Sequence, residues 1–389
     1  MERTFALTES RPHLITEIIA HPLTQRLPAP TETSWGRYDA VSILLVEVRT
    51  DSGLVGVGES LARFAPVAYA RLIEDALRPR MVGQDALAIT ANWTRMRRAL
   101  SGRAGGMLIE AIAGVDIALW DIAGKVADLA IWRLLHGEAR TDVPVYAASI
   151  NWGGDDGKVA ESIAAFSERG FTHIKVKIGG QVRQACERIA LVRKLAGDAI
   201  ELSADANWAY GLDDAVEVGR ALTANGYVWF EEPLRPEDED GYRMLRSRCD
   251  VPLAAGESNF TLDQAAPLVR DRTLSYLQPN VTRAGGITET LRMARLAASH
   301  DVAYAPHVGM SGIICEATSL HLSAALPNAR VMECPATANL FKSELADLAP
   351  GADRATGGFL AVPQGPGLGL TIDWDAVASM EALARGDTA

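Results

Sequence analysis

From Pro144 onward the chain alternates short apolar runs with amphipathic stretches, and this alternation constrains its fold more than any other feature. Eight candidate strands follow one another at 145–149, 173–178, 200–204, 227–231, 253–255, 276–278, 302–305 and 330–332. Helical periodicity fills the intervals, at 159–169, 185–195, 213–224, 241–248, 262–270, 288–298 and 316–325. Strand and helix in strict alternation imply parallel strands joined by right-handed crossovers. Eight such strands in sequence predict a closed β/α barrel.

The residues before this region follow another rule. A β-branched, alternating run at 42–50, a turn at Asp51-Ser52-Gly53 and a second run at 54–57 predict a hairpin. Helical patterns follow at 66–77, 86–100 and 107–126. The last is the strongest, with Leu108, Ile112, Val115, Leu119, Ile122 and Val126 on one stripe. Strands followed by helices predict a separate α+β module. After Leu340 the helical signals weaken. A Gly- and Pro-rich stretch at 363–369 leads to a strand-like 370–372, expected to fold back onto the first module. The expected division is 1–125, 126–340 and 341–389.

Barrel enzymes carry their active sites at the C-terminal ends of the strands. The second strand ends in Lys175-Val176-Lys177. Side chains at i and i+2 share a face of a strand, so both ammonium groups are expected in the barrel mouth. Two adjacent ammonium groups depress each other's pKa, which would prepare one of them as a general base. The next three strands end in Asp205, Glu231 and Glu257, each one β/α unit from the next. Carboxylates at one level on adjacent strands repel unless a cation joins them, and all-oxygen ligation suits Mg²⁺. Glu232 adjoins Glu231, and spacing does not choose between the two. The sixth to eighth strands lead to Asn280, His307 and Glu333. A lysine and a histidine flanking a metal-bound carboxylate can remove the proton α to that carboxylate. The result is a metal-stabilised enediolate. His307 would then return a proton, or deliver one to a β-hydroxyl that leaves.

Composition removes several alternatives. With 38 basic and 49 acidic residues the formal charge is −11, which argues against nucleic acid and anionic membranes as partners. Four cysteines without metal-ligand spacing read as free thiols. No long apolar span or signal-peptide pattern is visible, and a cytoplasmic protein is expected.

The strand-end residues, together with GVDIALWDIAGK (114–125), WFEEP (229–233), QPNVTRAGGI (278–287) and the glycines of 365–369, resemble the enolase superfamily, and within it the mandelate racemase subgroup. The resemblance runs over nearly the whole chain. It implies an α/β fold, a modified TIM (β/α)7β-type barrel with an α+β capping domain, to which the C-terminal segment returns. It implies one Mg²⁺ per site held by Asp205, Glu231 and Glu257. Lys177 becomes the base, with Lys175 tuning it and meeting the substrate carboxylate. Asn207 lies near the substrate, and Glu333 hydrogen-bonds the carboxylate. The expected activity is dehydration of an acid sugar (aldonate or aldarate) to a 2-keto-3-deoxy acid. A racemase, epimerase or cycloisomerase is the alternative, and a non-catalytic metal- and ligand-binding barrel is a third reading. A homo-oligomer is implied, since members commonly form symmetric assemblies. Two cap loops, expected at 21–37 and 59–64, would set specificity, with His21, Arg26, Trp35 and Arg37 as candidate substrate contacts. One position departs from the pattern: the subgroup places an aspartate where this chain has Asn280, so His307 is expected to be less basic than usual.

Overall fold

The computed structural model describes residues 11–33, 36–101, 105–135, 140–151, 156–335, 339–347 and 355–386. Three antiparallel strands open the chain in the order β1 (Ile15–Thr33), β2 (Gly36–Thr50) and β3 (Val55–Ser60). β1 and β2 form a long hairpin, paired from Ile15↔Thr50 to Thr33↔Gly36. The expected loop at 21–37 is therefore mostly strand. Pro22, Pro28 and Pro30 disguised it as a loop. β1 is an edge strand, where a missing backbone donor is tolerated.

The predicted cap helices are present. Pro66–Leu72 continues through a π turn at Ile73–Leu77, Ile89–Arg97 follows, and Gly106–Ala127 is the longest. Gly106–Ala127 is buried almost all round because it has partners on two sides. β3 crosses one side so closely that a Cβ on Gly56 or Gly58 would strike the backbone oxygen of Ala118 or Gly114. On the other side Asp116 accepts from Thr288 N (2.9 Å) and Thr288 Oγ1 (2.6 Å), at the start of the barrel helix Gly286–Ser299. Gly58→Ala is expected to lower unfolding stability by about 3 kcal/mol, the upper range for overpacking. An unchanged midpoint in urea would show that the helix can retreat.

The barrel strands are β4 (Asp142–Ile150), β5 (His173–Lys177), β6 (Glu201–Asp205), β7 (Tyr227–Glu231), β8 (Leu253–Ala255), β9 (Tyr276–Leu277), β10 (Ala303–Tyr304) and β11 (Met332–Pro335). The parallel sheet runs β10-β9-β8-β7-β6-β5-β4-β11. Tyr304 closes the ring through a bridge to Ala329. Each pair of consecutive strands is linked through one helix, seven in all among the described residues: Asp156–Glu168, Val182–Ala196, Leu212–Ala224, Glu239–Arg248, Leu262–Arg270, Gly286–Ser299 and Ile313–Ala325. This is the (β/α)7β arrangement. Inside it, Trp229 packs against His173 (4.7 Å between ring centres), Tyr276 (5.0 Å) and Tyr146 (5.2 Å), so the barrel has a solid aromatic floor.

The tail differs from expectation. Ile372 makes only an isolated bridge to Ala346, while a short strand, β12 (Phe359–Ala361), pairs with the start of β4. A helix, Trp374–Arg385, ends the described chain. Its cap, Asp373, accepts from Asp375 N and Ala376 N, both at 3.0 Å, a start signal that the weak periodicity concealed. The helix lies on β1 and receives His21 at Glu381 (Nδ1–Oε2, 2.9 Å). Among the glycines of 365–369, Gly367 (φ 67°) threads against the long cap helix. A side chain there would strike Asp121, while Leu368 N donates to the same carboxylate at 2.9 Å. No helix of the described chain is long and apolar enough to cross a membrane.

Candidate active site

Strand register assembles the site. Lys177 pairs with Asp205, and Asp205 with Glu231, across β5, β6 and β7. Lys175, two residues before Lys177, points into the same interior. Its side chain is 1% exposed, and its Nζ meets Glu231 Oε1 at 2.7 Å, Glu333 Oε1 at 2.9 Å and Asp205 Oδ2 at 3.7 Å. Burial pulls this ammonium down, but the surrounding carboxylates outweigh it and raise its pKa well above the usual lysine value. Lys177 is 24% exposed, donates to Asp205 Oδ2, and meets Asn207 Oδ1 at 2.8 Å.

The expectation that the two lysines depress each other is only half met. Burial and Lys175 do push Lys177 toward the neutral amine, yet Asp205 and Glu231 pull harder and leave its pKa raised. The sequence argument counted the neighbouring cation and not the anion one strand away.

The carboxylates crowd one another. Burial pushes Glu231 up to about 7, with Asp205 and Glu333 adding to the rise against the pull of Lys175. Glu232 is raised well above the ordinary range by burial and by Glu257, Asp205 and Glu231. It sits on left-handed backbone (φ 41°), and its Oε2 is buried without a hydrogen-bond partner. A cation among these side chains would relieve the repulsion, and the all-oxygen donor set suits a hard divalent ion. Among the described residues no three acids, histidines or cysteines already stand as a coordination cluster. Asp205 and Glu231 face the lysines. Glu257 faces His307 Nε2 (3.2 Å), Arg283 (3.5 Å) and Arg63 (3.8 Å). The all-oxygen donors fit Mg²⁺ by chemistry, with Asp205 and Glu231 in register and Glu257 two residues past the end of β8.

His307 follows β10. Asn280, which follows β9, donates from Nδ2 to His307 Nδ1 at 3.1 Å. The amide is held this way round because its Oδ1 accepts from Thr282 N (3.0 Å) and Thr282 Oγ1 (2.7 Å). Nδ1 of the ring is therefore an acceptor, and the proton of the neutral imidazole sits on Nε2, facing Glu257. Burial lowers the His307 pKa, while Glu257 and Glu333 oppose the shift. Glu333 accepts from Val308 N (2.7 Å), Gly309 N (2.8 Å) and Lys175. Burial works against its charge, but Lys175 and His307 hold its pKa far below the ordinary carboxylate value.

A cleft opens above these groups, lined by Lys177, Asn207, Glu257, His307 and Glu333 on the barrel side and by Tyr38, Arg63 and Phe64 on the cap side. Lys175, Asp205, Glu231 and Asn280 are buried and do not line it; the first two touch Lys177 or Glu333, Glu231 touches Lys175, and Asn280 touches His307. The cap candidates are placed differently. His21 is on β1 against the C-terminal helix, bound to Glu381 and 5.7 Å from the Trp374 ring, away from the cleft lining. Arg26 and Arg37 are exposed on the hairpin and do not line the cleft. Trp35 lies outside the described residues. Tyr38, Arg63 and Phe64 were missed: Tyr38 sits on the first part of β2, between the expected loop at 21–37 and the expected strand at 42–50, and Arg63 and Phe64 close the second expected loop without a motif to single them out. Arg283, bridging Glu257 and Glu110 (3.2 Å), was also missed.

A β/α barrel under an α+β cap, with paired lysines, a row of acids and a histidine around one cleft, defines an enolase-type enzyme. Comparison with known proteins agrees. Residues 14–136 match the mandelate racemase / muconate lactonizing enzyme N-terminal domain, and residues 158–376 match the enolase C-terminal domain-like family. The chain belongs to the enolase superfamily, in the mandelate racemase subgroup. It is 33% identical to the D-galactarolactone cycloisomerase of Agrobacterium fabrum, over 93% of this chain and 97% of that one. It is 34% identical to the arabinonate dehydratase of Saccharolobus solfataricus, over 85% and 88%. A racemase from Streptomyces coelicolor, solved with bound magnesium, superposes with a TM-score of 0.86 at 28% identity, over 94% of this chain and 99% of that one. The protein is an enzyme of the hydro-lyase or isomerase type.

Proposed function

We propose that the enzyme removes the proton α to the carboxylate of an acid sugar and expels an oxygen from the β carbon, dehydrating an aldonate or aldarate to a 2-keto-3-deoxy acid. The observation that carries this reading is that Lys177 and His307 line one cleft while Asp205 and Glu231 end β6 and β7, and Glu257 follows β8, between them. Mg²⁺ held by those three carboxylates would supply positive charge beside the substrate carboxylate as a second negative charge develops on it. Lys177, exposed to the cleft and backed by Lys175, takes the α proton. Asn207 orients the Lys177 amine. His307 presents its Nε2 proton to the departing oxygen, and Glu333 holds Lys175 and the backbone after His307 in place. The tautomer set by Asn280 suits a donor on this face better than a base, which favours elimination over racemisation.

A second reading has its own support. A neutral ring that hydrogen-bonds well but resists full protonation suits a leaving oxygen that is stable as a carboxylate. That is the situation in opening a lactone by elimination, and a relative is a D-galactarolactone cycloisomerase. Aldonic and aldaric acids and their lactones, incubated with the enzyme and Mg²⁺, separate the readings. A 2-keto acid from a free acid, lost with EDTA and restored by Mg²⁺, is the expected result. Product from lactones alone would replace dehydration by cycloisomerisation. Deuterium incorporation at the α carbon without elimination would overturn both.

A further inference from the structure

The geometry points to Glu59 and Gln25, two buried residues of the cap sheet, as positioning residues for His307. This rests on the assignment of His307 as the donor to the leaving group. His307 begins the segment 307–312, which runs to the helix Ile313–Ala325 and supplies Gly309 and Met310 to the cleft. The cap grips this segment at two points. Glu59, at the end of β3 and fully buried, accepts from Gly312 N at 2.7 Å and Cys315 N at 3.2 Å. Gln25, on β1, is buried and exchanges two hydrogen bonds with the start of the short helix Leu340–Ser343: Nε2 to the Oδ1 of its cap Asn339 and Leu340 N to Oε1, both at 2.7 Å. Asn339 in turn donates from Nδ2 to Ser311 O (3.1 Å) and Met310 O (3.4 Å). The barrel adds a third hold, from Asn280 Nδ2 to Ser311 Oγ at 3.2 Å.

Lys177 is held differently, by Asp205 on β6 and Asn207 in the turn after it. The cap therefore bears on one half of the reaction. Arg63 and Phe64 lie four and five residues beyond Glu59 and line the cleft. Contact between substrate and this short run is transmitted through Glu59 to the segment that carries the proton donor. Selection of substrate by the cap and placement of His307 are thus one mechanical event.

The test uses Glu59→Gln and Gln25→Leu in the full-length Mg²⁺-loaded enzyme. The second variant removes no charge and covers the case in which the first does not fold. Amides of 306–316 are expected to exchange with deuterium about tenfold faster or more in each variant. Wash-in of solvent deuterium at the α carbon, the Lys177 half-reaction, is expected to stay within about threefold of the parent, while product formation falls about tenfold or more. Equal loss of both half-reactions, or no loss of product formation, overturns the proposal. So does unchanged protection of 306–316. A parent enzyme that neither forms a 2-keto product nor exchanges the α proton in any acid tested overturns the functional reading instead, and protection of 306–316 then decides the clamp by itself.

Discussion

Lys177→Ala abolishes solvent-deuterium entry at the α carbon and lowers turnover by about 10⁴, the upper range for loss of a general base. The expectation follows from reach. Lys175 is 1% exposed and tied to Glu231 and Glu333, whereas Lys177 is 24% exposed and lines the cleft. A buried ammonium whose pKa is raised well above the usual value by its carboxylates is a poor proton acceptor. Lys177 is also raised in the free enzyme, chiefly by Asp205. Its work as a base depends on Asp205 being drawn to another partner. Proton exchange in D₂O, followed by NMR on a turned-over substrate, measures this directly. Exchange that persists in Lys177→Ala would remove Lys177 as the sole base and point to His307.

Asn280→Asp raises the pKa of His307 and moves the limb of the pH–rate profile that His307 controls to higher pH, by about one unit or more. The sign follows from the hydrogen bonds. Asn280 Nδ2 donates to Nδ1, so protonating Nδ1 would set two donors against each other. An aspartate there keeps one oxygen on Thr282, as the amide now does, and offers the other as an acceptor for Nδ1–H. The imidazolium then becomes the favoured form. As proton donor, His307 would stay active to higher pH. As base it would need higher pH to start. A parent enzyme that performs only elimination is expected to gain detectable α-proton exchange through this face. An unchanged profile would show that Glu257 and Glu333, not residue 280, set the charge of the ring.

Much of the barrel was legible because each strand carries its own burial pattern and each top its own polar residue. The long cap helix was legible from its stripe. β1 was not, because three prolines hide a strand whose edge position excuses them. The C-terminal helix was not, because its periodicity is weak and its start rests on one aspartate. The site divided in the same way. Residues fixed by strand phase, from Lys175 to Glu333, are brought around one cleft. Of those assigned by loop composition, His21 serves the C-terminal helix, and Arg26 and Arg37 do not line the cleft. Charge states were least legible, since Lys177 answers to Asp205 across the sheet and His307 to an amide whose orientation Thr282 decides.

The Trp374–Arg385 helix against β1 bears on how the chain is made. β1 leaves the ribosome well before the helix that covers it, since His21 and its partner Glu381 stand 360 residues apart. The cap sheet cannot reach its final packing until that helix has emerged, with Gly367 seated against Asp121 on the way. A chain that stalls before this helix would hold a barrel beneath an unfinished roof.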